Sequence, residues 1–211
     1  MQIQGHWKGW LRRFFVWAII LTGAMHCSAR QASSNSQPSL LGELQGQKFS
    51  DCYGKIHSAA DWSDKRALVF IFLAIDCPVS NRYSPELNSI YSDYAQQGIA
   101  IYGVHSDDSV TEGEARAHAR EYSLNFPVLL DPSFSLAKLL GAKMTPEAVV
   151  LSRAGVPLYR GRIDNLYISF GQMRAEPTVK DLRTVLDNIV NGKSQPYRFN
   201  APVGCFIPFS R

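Results

Sequence analysis

Ala67-Leu68-Val69-Phe70-Ile71-Phe72-Leu73-Ala74-Ile75-Asp76-Cys77-Pro78-Val79-Ser80 decides the reading of this chain. From Ala67 to Ile75 the residues are apolar without alternation, the pattern of a central strand buried on both faces. A buried helix would need a longer run, and the Val, Ile and Phe content favours strand. The run stops at Asp76, and Cys77-Pro78-Val79-Ser80 leads straight into helical sequence. A cysteine at such a junction faces unpaired backbone N–H groups and the positive end of the helix. Both favour thiolate over thiol, whose unperturbed pKa is about 8.5. Strand-to-helix junctions are also where α/β sheets carry their chemistry. Cys77 is therefore the candidate nucleophile, and an inert buried thiol is the alternative.

Outward from this junction, strands alternate with helices. Ser84-Pro85-Glu86 opens a helix, a capping serine followed by a first-turn proline. Leu87, Ile90, Tyr91, Tyr94 and Ala95 fall at helical spacing, and Gly98 stops it. Ile99–Val104 is a second strand. Ser109–Tyr122 is a polar helix with a capping box at Ser109 and Glu112, followed by a short strand over Phe126–Leu130. Asp131-Pro132 caps a brief helix ending at Gly141. Ala148–Leu151 and Leu158–Ile163 flank Ala154-Gly155 as a hairpin. Thr178–Val190 is a last helix, with Val179, Leu182, Leu186 and Ile189 on one face and Gly192 after it. Upstream, Asp51-Cys52-Tyr53-Gly54-Lys55 is a turn between short strands. The pattern predicts an α/β domain over residues 41–192, its sheet covered on both faces. Residues 193–211 form a C-terminal tail carrying Cys205.

The N-terminus reads as an address. Lys8, Arg12 and Arg13 precede an apolar run from Phe14 to Ala24, with small residues after it. This predicts a signal peptide over residues 1–29, cleaved after Ala29. An uncleaved anchor is the alternative, and with it a membrane tether. Cys27 raises a lipoprotein reading, to which His26 is a poor fit. Residues 30–40 are polar and read as a flexible linker. Those three basic residues belong to the leader, which leaves the remainder of the 22 Lys+Arg close to balance with 18 Asp+Glu. So balanced a chain argues against a nucleic-acid partner. Export to the periplasm or cell envelope places Cys52, Cys77 and Cys205 in an oxidising compartment, an odd number suited to redox chemistry, a structural bridge, or both.

With these elements in order, the chain resembles the thioredoxin-like superfamily, and within it the redoxin branch, the alkyl hydroperoxide reductase C and thiol-specific antioxidant (AhpC/TSA) family. Four features from about Gln47 to Val190 carry the resemblance: Cys77 and Ser80 where the family's Cys-x-x-Cys stands, Pro85 in the following helix, Thr145-Pro146 before a strand, and Asp51-x-x-Gly54-Lys55. The resemblance implies a central mixed sheet with helices on both faces, a cis Thr145–Pro146 bond, and a substrate groove shaped by Pro78, Thr145 and Pro146. It implies no metal and no cofactor. Its partners are a disulfide-bearing protein or a small oxidised thiol or peroxide, with an external thiol as reductant.

The departures from the family are as informative. Ser80 cannot resolve a mixed disulfide, although it is placed to hydrogen-bond the Cys77 thiolate. Phe70 and Ala74 stand where a peroxidase carries Pro and Thr, and Met144 to Pro146 where its arginine is expected. Arg160 and Arg162 read as hairpin residues. Copper delivery would need a second nearby sulfur and a distal histidine, so His57 and His105 read as surface or strand-end residues. Asp107-Asp108 reads as a capping pair, and Tyr167, Phe170 and Met173 as a partner-contacting loop. Cys205 is the remaining candidate for a resolving thiol, against a Cys52–Cys205 bridge or a free thiol. The expectation is a thiol-dependent oxidoreductase. Its alternatives are an atypical peroxidase forming a sulfenic acid at Cys77, and a non-catalytic binding module.

Overall fold

A computed structural model of the chain describes residues 39–209. The predicted signal segment and residues 30–38 of the predicted linker lie outside the described residues. In chain order the elements are α1 (Leu41–Gln45), β1 (Lys48–Ser50), β2 (Ile56–Ser58), β3 (Ala67–Leu73), α2 (Pro78–Arg82), α3 (Ser84–Tyr94), β4 (Ile99–His105), α4 (Glu112–Glu121), β5 (Val128–Leu130) and α5 (Ser135–Leu140). There follow β6 (Met144–Thr145), β7 (Glu147–Ser152), β8 (Pro157–Gly161), β9 (Tyr167–Ser169), β10 (Gln172–Met173), α6 (Asp181–Val190), β11 (Arg198–Asn200) and β12 (Cys205–Phe206). Six strands form one mixed sheet in the order β11-β8-β7-β3-β4-β5. β3, β4 and β5 are parallel, β7 pairs antiparallel with both β3 and β8, and β11 runs parallel to β8.

Every residue of β3 is buried, so each face of the strand requires a cover. Ala67, Val69, Ile71 and Leu73 meet Leu87 and Ile90 of α3, Ala115 and Ala119 of α4, and Leu182, Val185 and Leu186 of α6. Leu68, Phe70 and Phe72 meet Leu44 of α1, Trp62, and Leu136, Ala137 and Leu140 of α5. The period-2 alternation of a strand assigns those two sets to opposite faces. Each large side chain so buried stabilises the fold by about 1.5–3 kcal/mol relative to exposure. Trp62 is fixed further by donating its indole N–H to the Tyr102 hydroxyl at 3.1 Å.

Several local expectations shift. The helix expected to open at Ser84 does so as α3, while the helical sequence after Cys77 is a separate short helix, α2, that Cys77 caps and that breaks before α3. Pro85 has no N–H to give the carbonyl of Asn81, which forces the break there. The capping box of α4 is Thr111 with Glu114, not Ser109 with Glu112. The Thr111 side chain accepts the Glu114 N–H at 3.2 Å while the Glu114 carboxylate accepts the Thr111 N–H at 2.8 Å. Asp107 instead closes its own turn, accepting the Ser109 N–H at 2.8 Å. The last helix starts at Asp181, which leaves Val179 exposed. Tyr167 to Met173, read as a loop, forms the β9–β10 hairpin. At the N-terminal side Leu40 donates its N–H to the Gly155 carbonyl at 2.9 Å, so the linker is docked by residue 40. Beyond residue 192 the chain rejoins the body: β11 extends the main sheet, and Ile207 is 4% exposed in the core.

Asp131 organises the β5–α5 corner. It is 2% exposed, and its carboxylate accepts the N–H groups of Leu136 (3.1 Å) and Ala137 (3.0 Å) and the hydroxyls of Ser106 (2.7 Å) and Ser135 (3.0 Å). Asp131→Ala should therefore cost about 3 kcal/mol, since buried donors lose a charged acceptor. A lowered midpoint in denaturant unfolding with an unchanged slope is the expected measurement.

Candidate redox site

Cys77 closes the first turn of α2. Its backbone is extended (φ −87°, ψ 108°), and its sulfur accepts the Ser80 N–H at 3.4 Å. The Cys77 thiol donates to the Thr145 carbonyl at 3.3 Å across the sheet end. The Thr145–Pro146 bond is cis. Ser80 thus reaches the sulfur through its backbone; its hydroxyl, buried at 1% exposure, has no hydrogen-bond partner. That corrects the expected side-chain contact: inside the first turn the N–H, not the hydroxyl, points back to the cap.

The tail supplies the second sulfur. β12 pairs antiparallel with β6, Cys205 opposite Thr145 and Phe206 opposite Met144. Ile207 continues the register by donating its N–H to the Lys143 carbonyl at 2.9 Å. Gly204 makes this approach possible, because a Cβ there would lie 1.9 Å from the Thr145 oxygen. Beyond the strand Ile207 is buried and Phe209 packs on Phe134 with ring centroids 5.7 Å apart. Cys205 thereby packs against the core cluster that contains Cys77, and both are free thiols. Burial first, then the neighbouring Cys77 thiol and the charge of Asp76, push the Cys205 thiol up to about 12. Cys77 has no exposure, while Cys205 is half-buried.

Cys52 stands apart. It is fully buried, its N–H bonds the Val128 carbonyl at 2.9 Å, and its carbonyl accepts from Arg116 at 2.8 Å. Burial, then Asp51, raises its pKa, and no other cysteine is among the groups acting on it.

Behind the Cys77 turn lies a polar brace that the sequence reading missed. Asn81 donates its side-chain amide to the Ile75 carbonyl at 2.9 Å, and its amide oxygen sits 2.8 Å from His118 Nε2. His118 and His105 meet edge to face, centroids 5.0 Å apart, and His105 Nδ1 is 3.1 Å from the Leu73 carbonyl. Those carbonyl and amide oxygens accept, so both rings donate from these nitrogens. His105 is thus a strand-end residue but not a surface one, at 1% exposure; burial, then His118, lowers its pKa to about 4. His118 is lowered too, by burial. His57, also buried, pairs with Asp51 at 2.8 Å. On the other side of α2, Tyr83 donates to Asp164 at 2.5 Å, and burial raises the pKa of both.

The arginines serve elsewhere. Arg160 donates to the Gly141 carbonyl at 2.6 Å and faces Glu147 at 3.4 Å, and Arg162 pairs with Asp181 at 2.7 Å. Neither is a partner of Cys77. Among the described residues no group of three or more metal-ligating side chains comes together.

The mixed sheet, the strand-to-helix cysteine and the cis-proline strand define a thioredoxin-like protein. The chain belongs to the AhpC/TSA family, whose model matches residues 42–159. The thiol-disulfide oxidoreductase ResA of Bacillus cereus is 24% identical over 140 residues, 65% of this chain and 79% of that protein. ResA of Halalkalibacterium halodurans matches at 24% over 79 residues, 37% of this chain and 44% of that relative's length, so there the chain spans less than half of the relative. Among solved structures, a hypothetical protein of Sinorhizobium meliloti superposes with TM-score 0.69 at 28% identity, covering 78% of this chain and 91% of that one. The thioredoxin domain of a thiol-disulfide oxidoreductase of Bacteroides vulgatus superposes with TM-score 0.51 at 18% identity, over 69% and 93% of the two chains, a likeness of fold.

Two expectations follow. Gly204→Val should dislodge β12 and speed alkylation of Cys77 about tenfold or more, because a buried thiol reacts only when its cover opens. Time-resolved alkylation with peptide mapping measures it. The second concerns pH: the unfolded chain protonates His105 near the ordinary imidazole value of about 6.5, whereas the folded chain resists until about 4. The unfolded state therefore binds more protons across that window, so stability is full above about 6.5 and falls as pH drops towards 4. His105→Gln, which retains a donor for Leu73, should flatten that slope in unfolding measured from pH 4 to 7.

Proposed function

We propose that the chain is a thiol-disulfide oxidoreductase of the redoxin type, with Cys77 as nucleophile and Cys205 as resolving thiol. The observation that carries this reading is the pairing of Cys205 with Thr145, the residue whose carbonyl accepts from the Cys77 thiol at 3.3 Å, so that both cysteines meet at one strand position. Family membership and the name of the ResA relatives support it. The Cys77 sulfur, held by the Ser80 N–H at the start of α2, attacks a substrate disulfide once the tail strand lifts. One substrate sulfur leaves as thiolate, and the other stays in a mixed disulfide with Cys77. Cys205, having kept its proton until then, gives it up and attacks Cys77, expelling the second substrate thiolate. The chain ends with a Cys77–Cys205 disulfide, and the substrate has gained two electrons. An external thiol then restores the reduced pair.

Thr145, Pro146 and Pro78 shape the groove, part of which the chain's own β12 fills at rest. The substrate class is a disulfide-bearing protein or a small oxidised thiol. The leader-like pattern of residues 1–29 supports export to the periplasm or cell envelope, with a retained leader serving as a tether. Peroxide reduction is the less favoured reading, since Arg160 and Arg162 are engaged away from Cys77.

The test is turnover of a small disulfide beside peroxide consumption on the same reduced sample. Cys77→Ser should abolish disulfide turnover with little loss of stability. In a single round without added thiol, Cys205→Ala should release one substrate thiol per chain where the parent releases two, as the intramolecular step that frees the second is lost. Peptide mapping of the oxidised chain should find Cys77 joined to Cys205; turnover persisting in Cys77→Ser would overturn the reading.

A further inference from the structure

A cleft of about 570 Å³ opens beside the cysteine pair, lined by Asp76, Asp107, Asp108, Ser109, Cys205 and Phe206 among others. No lysine, arginine or histidine lines it. Asp107 is held in place by accepting the Ser109 N–H at 2.8 Å and its hydroxyl at 2.6 Å, and Asp108 is exposed. Neither is in an ion pair among the described residues. Of the two thiols, the one that reaches this cleft is Cys205, whereas Cys77 has no exposed surface. With β12 in place, a small molecule approaching the pair through this cleft therefore meets Cys205 rather than Cys77, past three carboxyl groups.

We propose that the external reductant of the Cys77–Cys205 disulfide enters by this cleft, attacks Cys205, and is selected by charge, a cationic thiol being preferred over an anionic one. The inference rests on the disulfide proposed above and names the class of its electron donor. The carboxylates bind nothing by themselves; they set the local concentration of charged thiols at a sulfur that reacts. In the first step the reductant thiolate bonds to the Cys205 sulfur, the Cys77–Cys205 bond breaks, and Cys77 leaves as thiolate and takes up a proton. A second thiolate then attacks the reductant's sulfur in the mixed disulfide and releases Cys205, which is protonated in turn. Two thiols become one disulfide, and the chain regains two thiols. Three carboxylates lining the same cleft, screened over a Debye length of about 10 Å at 0.1 M salt, change the local concentration of a monovalent ion a few-fold in either direction. Between opposite charges that is about tenfold in rate.

The experiment uses the full oxidised chain and three probes: cysteamine, 2-mercaptoethanol and mercaptoacetate. Rates of disulfide opening are divided by each thiol's rate on a small neutral disulfide, which removes differences of intrinsic reactivity. The expected order is cysteamine, then 2-mercaptoethanol, then mercaptoacetate. The spread should be about tenfold at low salt, narrowing at 0.5 M salt and in Asp107→Asn/Asp108→Asn. Asp107→Asn keeps an acceptor for Ser109, and Asp108→Asn alone, at an exposed position, serves if the double variant is unstable. Equal normalised rates, or a spread that survives both salt and neutralisation, would overturn the charge selection and leave the disulfide reading intact. Failure to find the Cys77–Cys205 disulfide by peptide mapping of the starting sample would instead take down both.

Discussion

β3 is apolar on every residue, and that single constraint organises the rest of the chain. A strand with no solvent face needs helices on both sides, neighbours on both edges, and an end at which polar groups can begin. α3, α4 and α6 cover one face and α1 and α5 the other, while β4 and β7 occupy the edges. The end is Asp76-Cys77. Everything that acts on the sulfur arrives at this end because the sheet delivers it there: the Ser80 N–H from α2, the Thr145 carbonyl from the strand turn before β7, and Cys205 from the tail.

Two kinds of polar group are held near the Cys77 turn. The His105–His118–Asn81 chain fixes carbonyls on the approach to the turn, and its imidazoles remain neutral because burial penalises their charge. Asp164 and Tyr83 pin the far end of α2. Neither group bonds the sulfur itself, so their effect is on where the turn lies. The groups that hydrogen-bond Cys77 are backbone atoms, with Cys205 packed against the same cluster, and this economy fits a site whose chemistry is exchange between sulfurs.

What the sequence disclosed follows from what is local. The nine-residue apolar run, the cysteine after it, the Ala154-Gly155 turn and Thr145-Pro146 are readable because each has a periodicity or a residue type tied to backbone geometry. Helix starts were read less well. Ser109 and Thr111 each have glutamate three residues on, and only packing against the sheet selects the second. The His105–His118 contact and the Asp131 network join residues far apart in the chain, so no window of sequence contains them. β11 escaped because Arg198-Phe199-Asn200 is too short and too polar to announce a strand; Gly161 permits it, since a Cβ there would lie 2.0 Å from the Asn200 oxygen. Cys205 is a candidate from the sequence because Ser80 leaves the resolving role open and the tail has the reach, the glycine and the apolar residues to dock, whereas its register opposite Thr145 is a tertiary fact that no window of sequence holds.

The tail is fastened on both sides of Cys205: by β11 before it, and by Ile207 in the core after it. A segment held at both ends does not peel away like a free terminus; it bows outward and springs back. In the proposed function the excursion that uncovers Cys77 is therefore short, and Cys205 stays close to the sulfur it is proposed to attack. Its effective concentration at Cys77 stays in the range of a closed small loop, about millimolar or above, whatever the concentration of thiols outside. A mixed disulfide formed on Cys77 would then be intrinsically brief, and the half-reaction that can be intercepted is the slower return of electrons from solution.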